Sequence, residues 1–268
     1  MNFARMFGIE AVDLEASATA GLSGGNIARD GVELAISQDA SGSFIDELED
    51  AKVADNALID IVEDAVVEDD TSGVNKFRGE VQREIDLTAV GDQASQIHSA
   101  IDGIYHDTNM ASGTHTALGI EDATDMLVNR SGGDSTSPVI VLVSDGMPFG
   151  YATWEWQYTW RYHYYYGWYK DWYQVQTMTE EEHTEYRRQR AIEAADAAAD
   201  QDIKIHTVTF VQEPPSGYEY GQSGADADFN ASLVRNGGYA FHTPEPEDLE
   251  IILECVGYIE VGRPMLIE

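Results

Sequence analysis

Three short segments carry oxygen donors at spacings suited to a cation: Asp39-Ala40-Ser41-Gly42-Ser43, Gly113-Thr114 and Ser144-Asp145-Gly146. Together they offer the carboxylates of Asp39 and Asp145 and the hydroxyls of Ser41, Ser43 and Thr114. Hard divalent cations such as Mg²⁺ take oxygen ligands in a near-octahedral shell. This set adds only two formal negative charges, so a cation held by it stays electrophilic and accepts an acidic oxygen from a partner. Any one of the segments alone reads as an ordinary turn. Thr116, two residues beyond Thr114, offers the same chemistry.

Bringing the three segments together requires a particular kind of sheet. Val32–Ser37 reads as a buried strand leading into Asp39, and Ile45, Leu48, Ala51, Leu58, Ile61 and Val62 recur near helical period over Ile45–Val62. Val139–Val143 is the strongest strand, a continuous aliphatic run suited to burial on both faces of a parallel sheet. Between them, Asp69–Gly73 reads as a turn, Val74–Phe77 and Val81–Leu87 as a strand pair, and Gln93–Ile104 and Ala117–Val128 as helices. Ser131-Gly132-Gly133 breaks the chain. Further on come an alanine-rich helix over 180–200, a strand at Ile203–Val211, and a short helix Phe229–Asn236 closed by Gly237-Gly238. A brief strand Tyr239–His242 and a last helix follow; the helix starts near Pro246 and carries Leu249, Ile252, Leu253 and Val256 on one face. Strands alternating with helices predict right-handed βαβ units, hence an α/β fold with a doubly wound, mostly parallel sheet flanked by helices. The three donor segments then fall at strand-to-helix edges, where such sheets place ligand sites.

Asp-x-Ser-x-Ser, a Gly-Thr loop and Ser-Asp-Gly at a strand end, in this order, resemble the metal-ion-dependent adhesion site of von Willebrand factor A (vWA) domains. The likeness extends to Phe44 after the second serine, to Ala51-Lys52 in the following helix, and to Gly237-Gly238-Tyr239 before the last one. It covers about residues 31–258 apart from one insert at 150–178, leaving an arm at 1–30 and a tail at 259–268. The resemblance implies a Rossmann-like vWA fold, with Asp39, Ser41, Ser43, Thr114 and Asp145 holding a divalent metal, Mg²⁺ ahead of Ca²⁺ or Mn²⁺. Gln38 departs from the more apolar residue that many relatives carry before the first aspartate.

The insert is aromatic. Residues 151–173 contain all five tryptophans and eight of the fourteen tyrosines. Trp154, Trp156, Tyr158, Trp160, Tyr162, Tyr164 and Tyr166 alternate with other residues at strand period, Gly167 permits a turn, and Trp168 to Gln176, with Trp172, can return as a second strand. A β-hairpin with one face of rings, placed just after Asp145, is expected to project near the metal. Its rings either recognise a partner or bury themselves against a neighbouring subunit, since aromatics dominate many interfaces.

Composition narrows the rest. Acidic residues outnumber basic ones 49 to 15, a formal charge of −34, and lysine occurs only at positions 52, 76, 170 and 204. The acid is spread evenly through a chain that is 43% hydrophobic and aromatic-rich, unlike a disordered acidic segment. Molar salt shortens the Debye length to roughly 3 Å, so this surface suits a halophilic setting. With no basic patch, nucleic acid is not an expected partner. No apolar run of about 20 residues predicts a membrane span, and the N-terminus lacks a secretory h-region. Cys255 is alone and reads as a buried structural thiol; the seven histidines do not pair at ligand spacing, His115 reads as solvated or structural, and His163 falls on the polar side of the hairpin. No phosphate loop, zinc helix or hydrolase elbow is present.

These readings converge on a non-enzymatic adhesion or receptor-recognition protein that binds a protein, glycoprotein or glycan through metal and hairpin. The expected setting is an extracellular assembly, such as the surface or tail of a virion, with neighbouring subunits. Two rivals are a structural subunit with the hairpin buried at an interface, and a cytoplasmic vWA cofactor of an AAA+ ATPase.

Overall fold

A computed structural model describes residues 30–129, 136–146, 148–210, 226–243 and 248–262. Most of the N-terminal arm, the Ser131-Gly132-Gly133 break, Pro246 and the end of the C-terminal tail lie outside them.

The first strand, β1 (Gly31–Asp39), is buried along its whole length. A single 3-10 turn (Gly42–Phe44) leads into α1 (Leu48–Asp64). Then come β2 (Thr71–Phe77), β3 (Val81–Ala89), α2 (Val90–Asp102), α3 (Thr116–Val128) and β4 (Thr136–Ser144). The aromatic strands are β5 (Thr153–His163) and β6 (Gly167–Met178), followed by α4 (Glu180–Ala199), β7 (Lys204–Phe210), α5 (Ala227–Ser232), β8 (Ala240–Thr243) and α6 (Asp248–Glu260). The main sheet runs β3-β2-β1-β4-β7-β8. Only β3 is antiparallel; the other pairings are parallel.

Strand period divides the core in two. Val32, Leu34 and Ile36 of β1 and Val139, Val141 and Val143 of β4 face a cluster with α1, α2 and α6. Ala35, Ile140 and Leu142 point the other way, against α3, α4 and Phe229. Both faces are therefore covered, which is why β4 is apolar without alternation. Each fully buried Val, Leu or Ile contributes about 1.5–3 kcal/mol relative to exposure. The doubly wound, mostly parallel architecture expected from the sequence is the observed one.

Four local readings need correction. Thr71–Gly73 is strand and not turn: the chain reverses earlier, where the Asp70 carboxylate accepts N–H bonds from Val32 (2.8 Å) and Val67 (2.7 Å). Gly73 marks a bulge in the β2–β3 register, and a Cβ there would meet Met126 Sδ at 2.9 Å. Helix α1 begins at Leu48, and Ile45 is exposed, because the 3-10 turn takes up the preceding residues. Helix α5 ends at Ser232. Asn236 (φ 52°) and Gly237 (φ 77°) instead form a left-handed turn into β8, with the Arg235 guanidinium donating to the carbonyls of Ser232 and Val234. Finally, Cys255 is half-buried; burial and the Glu254 charge push its thiol up to about 11, so it stays protonated.

Candidate metal centre and aromatic hairpin

Parallel register sets the site. β1 pairs with β4 from Gly31–Thr136 to Gln38–Val143, so Asp39 and the Ser144-Asp145 pair emerge side by side at the C-terminal edge. The Asp39 carboxylate is fully buried. Its Oδ1 accepts the Ser41 N–H (2.7 Å) and its Oδ2 the Ser144 hydroxyl (2.7 Å). These bonds fix both oxygens in place and favour the ionised form. Burial and the nearby Asp145 charge oppose them and win, raising Asp39 from 3.8 to about 7. The hydroxyls of Ser41 and Ser43 lie 3.1 Å apart in the 3-10 turn, with Ser41 buried and Ser43 exposed.

Helix α5 holds the Asp145 loop. The Asp226 N–H donates to the Asp145 carbonyl (3.0 Å), and Asn230 Nδ2 donates to Thr209 Oγ1 (2.8 Å) and weakly to the Ser144 carbonyl (3.4 Å). Gly146 turns the chain at φ 78°, and a Cβ there would strike the Asp226 carbonyl at 2.6 Å.

Thr114 reaches this edge on a loop tied at both ends. Gly119 packs so closely on β1 that a Cβ would lie 2.5 Å from Ser37 Oγ, which seats the first turns of α3 against the C-terminal part of that strand. The Arg78 carbonyl accepts the His115 N–H at 2.6 Å, and Thr114 pairs with Phe149 through two backbone bonds of 3.0 Å. Thr114 and Thr116 are both buried, and the Thr116 hydroxyl has no partner among the described residues. His115 is half-buried; burial first, and then the Arg187 charge, push it down to about 4, so it is neutral.

The structure thus gathers Asp39, Ser41, Ser43, Thr114 and Asp145 at one sheet edge. Two repelling carboxylates, one with a raised pKa, together with three hydroxyls form a donor set that suits a hard divalent cation. Glu47, absent from the sequence reading, is buried nearby; burial foremost, and the charges of Asp46 and Asp145, raise its pKa. Nothing in its local sequence, Asp46-Glu47-Leu48-Glu49-Asp50, sets it apart.

The hairpin is present as a separate two-stranded antiparallel sheet. Its register puts Tyr158 opposite Trp172 and Tyr162 opposite Trp168. Trp154 and Trp156, opposite Gln176 and Gln174, share their face, as does Trp160 opposite Lys170. The Lys170 ammonium sits 4.0 Å from the Tyr158 ring centroid and 5.6 Å from those of Trp160 and Trp172. Exposure is 55% at Trp154, 64% at Trp156 and 68% at Trp168. The alternation stops earlier than expected: β5 ends at His163, and Tyr164 and Tyr166 belong to the turn, each 82% exposed. They cap the tip and do not extend the ring face, because Gly167 at φ 71° already starts the return.

No family model matches the sequence, and no curated protein does. The fold does have solved counterparts. The vWF domain of the type V pili tip protein Mfa5 from Porphyromonas gingivalis superposes with a TM-score of 0.61 at 13% identity, over 90% of this chain and 99% of that one. A conserved hypothetical protein, BatB, from Bacteroides thetaiotaomicron gives 0.55 at 17% identity, over 87% and 99%. The pilus adhesin SpaC from Lactobacillus rhamnosus GG gives 0.60 at 12% identity, over 87% of this chain, which spans 30% of that protein. At these identities the likeness establishes the fold, which is vWA-like.

Proposed function

We propose that this protein is a non-enzymatic adhesion or assembly protein that binds its partner through a divalent cation held by Asp39, Ser41, Ser43, Thr114 and Asp145. The observation that carries this reading is the pairing of the Asp39 and Asp145 carboxylates with three hydroxyls at the sheet's C-terminal edge. Mg²⁺ is the first candidate, with Ca²⁺ and Mn²⁺ as alternatives. When bound, the metal supplies a Lewis-acidic position for a carboxylate or other acidic oxygen of the partner. The protein's own residues orient the set: Ser144 and the Ser41 N–H hold Asp39, and Asp226 and Asn230 hold the Asp145 loop. The pilus adhesin and pilus-tip counterparts support a surface or extracellular setting. The charge of −34 supports a saline one, and a virion surface is the specific placement we favour.

The exposed ring face of β5–β6 supports a partner that touches hairpin and metal together, a protein or a glycan. Its flat rings, the Gln174 and Gln176 amides and the Lys170 ammonium offer stacking and hydrogen bonding on one surface. The same exposure favours a second reading, in which the hairpin is buried between subunits of an assembly. No described helix is long and apolar enough to cross a membrane.

The primary test is Mn²⁺ titration of the wild type and of Asp39→Ala and Asp145→Ala. Loss of either carboxylate is expected to weaken binding more than about tenfold. Equal affinity in all three proteins would sink the metal assignment.

A further inference from the structure

The hairpin root and the metal loop share one clamp. Three successive residues lead from the Asp145 loop into β5, and each is held by α4. Arg187 Nη1 donates to the Phe149 carbonyl (2.6 Å), the Gly150 N–H donates to Thr184 Oγ1 (3.2 Å), and His183 Nδ1 meets the Tyr151 carbonyl at 2.7 Å. His183, Thr184 and Arg187 occupy one turn of the helix. Phe149 is also the residue whose backbone pairs with Thr114 in both directions at 3.0 Å.

Packing at the clamp is close. A Cβ on Gly113 would lie 2.5 Å from the Phe149 carbonyl oxygen and 2.7 Å from Arg187 Nη1, and Gly113 sits at φ 100°. A Cβ on Gly150 would strike the His183 ring at 2.5 Å. Arg187 is 7% exposed and is bound to the Phe149 carbonyl and to His183 Nε2 (3.4 Å), with no carboxylate partner among the described residues. In a chain with 49 acidic residues, a buried arginine spent on a backbone carbonyl points to a positional task.

We propose that Arg187 is a positioning residue that sets Thr114 through Phe149, that His183 and Thr184 tie the hairpin root to the same helical turn, and that this shared turn makes the hairpin and the metal site one mechanically coupled unit. The inference rests on the metal reading given above. If the Phe149 strand segment shifts, the Thr114 backbone shifts with it, because each is the other's hydrogen-bond partner. A partner that seats on the rings and displaces the hairpin root therefore changes metal affinity, and by linkage metal changes affinity at the rings by the same factor.

The molecule carries its own reporter, since all five tryptophans lie in the hairpin and none in the body. Mg²⁺ titration, followed in parallel by calorimetry and by tryptophan emission excited at long wavelength, tests the coupling in the intact chain. In the wild type both signals are expected to move with the same midpoint. Arg187→Ala is expected to lower the calorimetric affinity about tenfold or more, the range for residues that orient ligands, with Arg187→Lys restoring part of it. His183→Ala/Thr184→Val removes two half-exposed anchors and leaves buried Arg187 in place. It is expected to bind Mg²⁺ within about threefold of wild type while losing most of the emission change. If Arg187→Ala fails to fold by circular dichroism, this double variant decides alone. Calorimetric binding with unchanged tryptophan emission overturns the coupling and leaves the metal reading intact. Absence of any calorimetric binding in the wild type overturns both, and is a distinct result.

Discussion

Asp55 sits on the buried face of α1 with 0% exposure, and neither carboxylate oxygen has a hydrogen-bond partner among the described residues. Burial alone pushes it from 3.8 up to about 8. In the folded protein it therefore holds a proton that the unfolded chain has released by about pH 5. The sign follows: between about pH 4 and 8 the folded state binds more protons, so stability falls as pH rises across that window. Asn mimics the protonated form and cannot ionise. Asp55→Asn is expected to be near neutral at pH 4 and stabilising by about 1–3 kcal/mol at pH 8. Thermal melts of both proteins at the two pH values check this, and a difference that stays constant with pH rules it out. The sequence hides Asp55, because a lone acid at a core position of an acidic helix looks like its solvated neighbours. Asp39 and Asp145 were legible because their types and order coincide with strand ends. Arg187 was not, since its partners, Phe149 and His183, are set by tertiary contact and by no local spacing.

Among the elements, the hairpin was readable from its period and β4 from its unbroken aliphatic run, and two of the failures share one cause. Thr71–Gly73 and the end of α5 carry turn-prone residues whose conformations the surroundings decide: a bulge under Met126 in one case, a left-handed turn at Asn236-Gly237 in the other. An isolated two-stranded hairpin is marginal in water. Here α4 anchors the root, and the cross-strand ring pairs Tyr158–Trp172 (4.8 Å) and Tyr162–Trp168 (5.5 Å) support the shaft. Interface energy concentrates in a few Trp, Tyr and Arg residues, with truncations costing about 2 kcal/mol or more. Trp156→Ala and Trp160→Ala are thus expected to weaken binding to the partner's cell surface or isolated glycoprotein by at least roughly tenfold, with the circular dichroism spectrum unchanged. A chelator should weaken the same binding. If chelation has no effect and the tryptophan variants only disrupt an assembly, the hairpin is an assembly element and not a recognition surface.

At the scale of the whole molecule the charge dominates, and it is the property most openly written in the sequence. With 49 acidic and 15 basic side chains, each basic group can neutralise one acid and 34 remain. The structure pairs several bases locally, Arg83 with Asp86, Asp122 and Asp125, Arg235 with Asp196, and Lys204 with Glu260, which leaves the excess acid spread over the surface. The hairpin is the exception: Glu155 and Asp171 balance Arg161 and Lys170 there, so a partner meets rings without the body's repulsion. In dilute buffer, where the Debye length exceeds about 10 Å, like charges oppose the compact state; at 1 M salt the range falls to about 3 Å. The melting temperature is therefore expected to rise by about 10 °C or more between 0.05 M and 2 M NaCl, at roughly 2–4 °C per kcal/mol for a domain of this size. Screening and site binding separate cleanly. At fixed ionic strength, exchanging a few millimolar Mg²⁺ for Na⁺ should add stability by mass action in the wild type and not in Asp145→Ala, while both proteins keep the same NaCl response. A melting temperature flat from millimolar to molar NaCl excludes the saline adaptation. Equal Mg²⁺ stabilisation of the two proteins would mean that the cation acts on the acidic surface and not at the sheet edge.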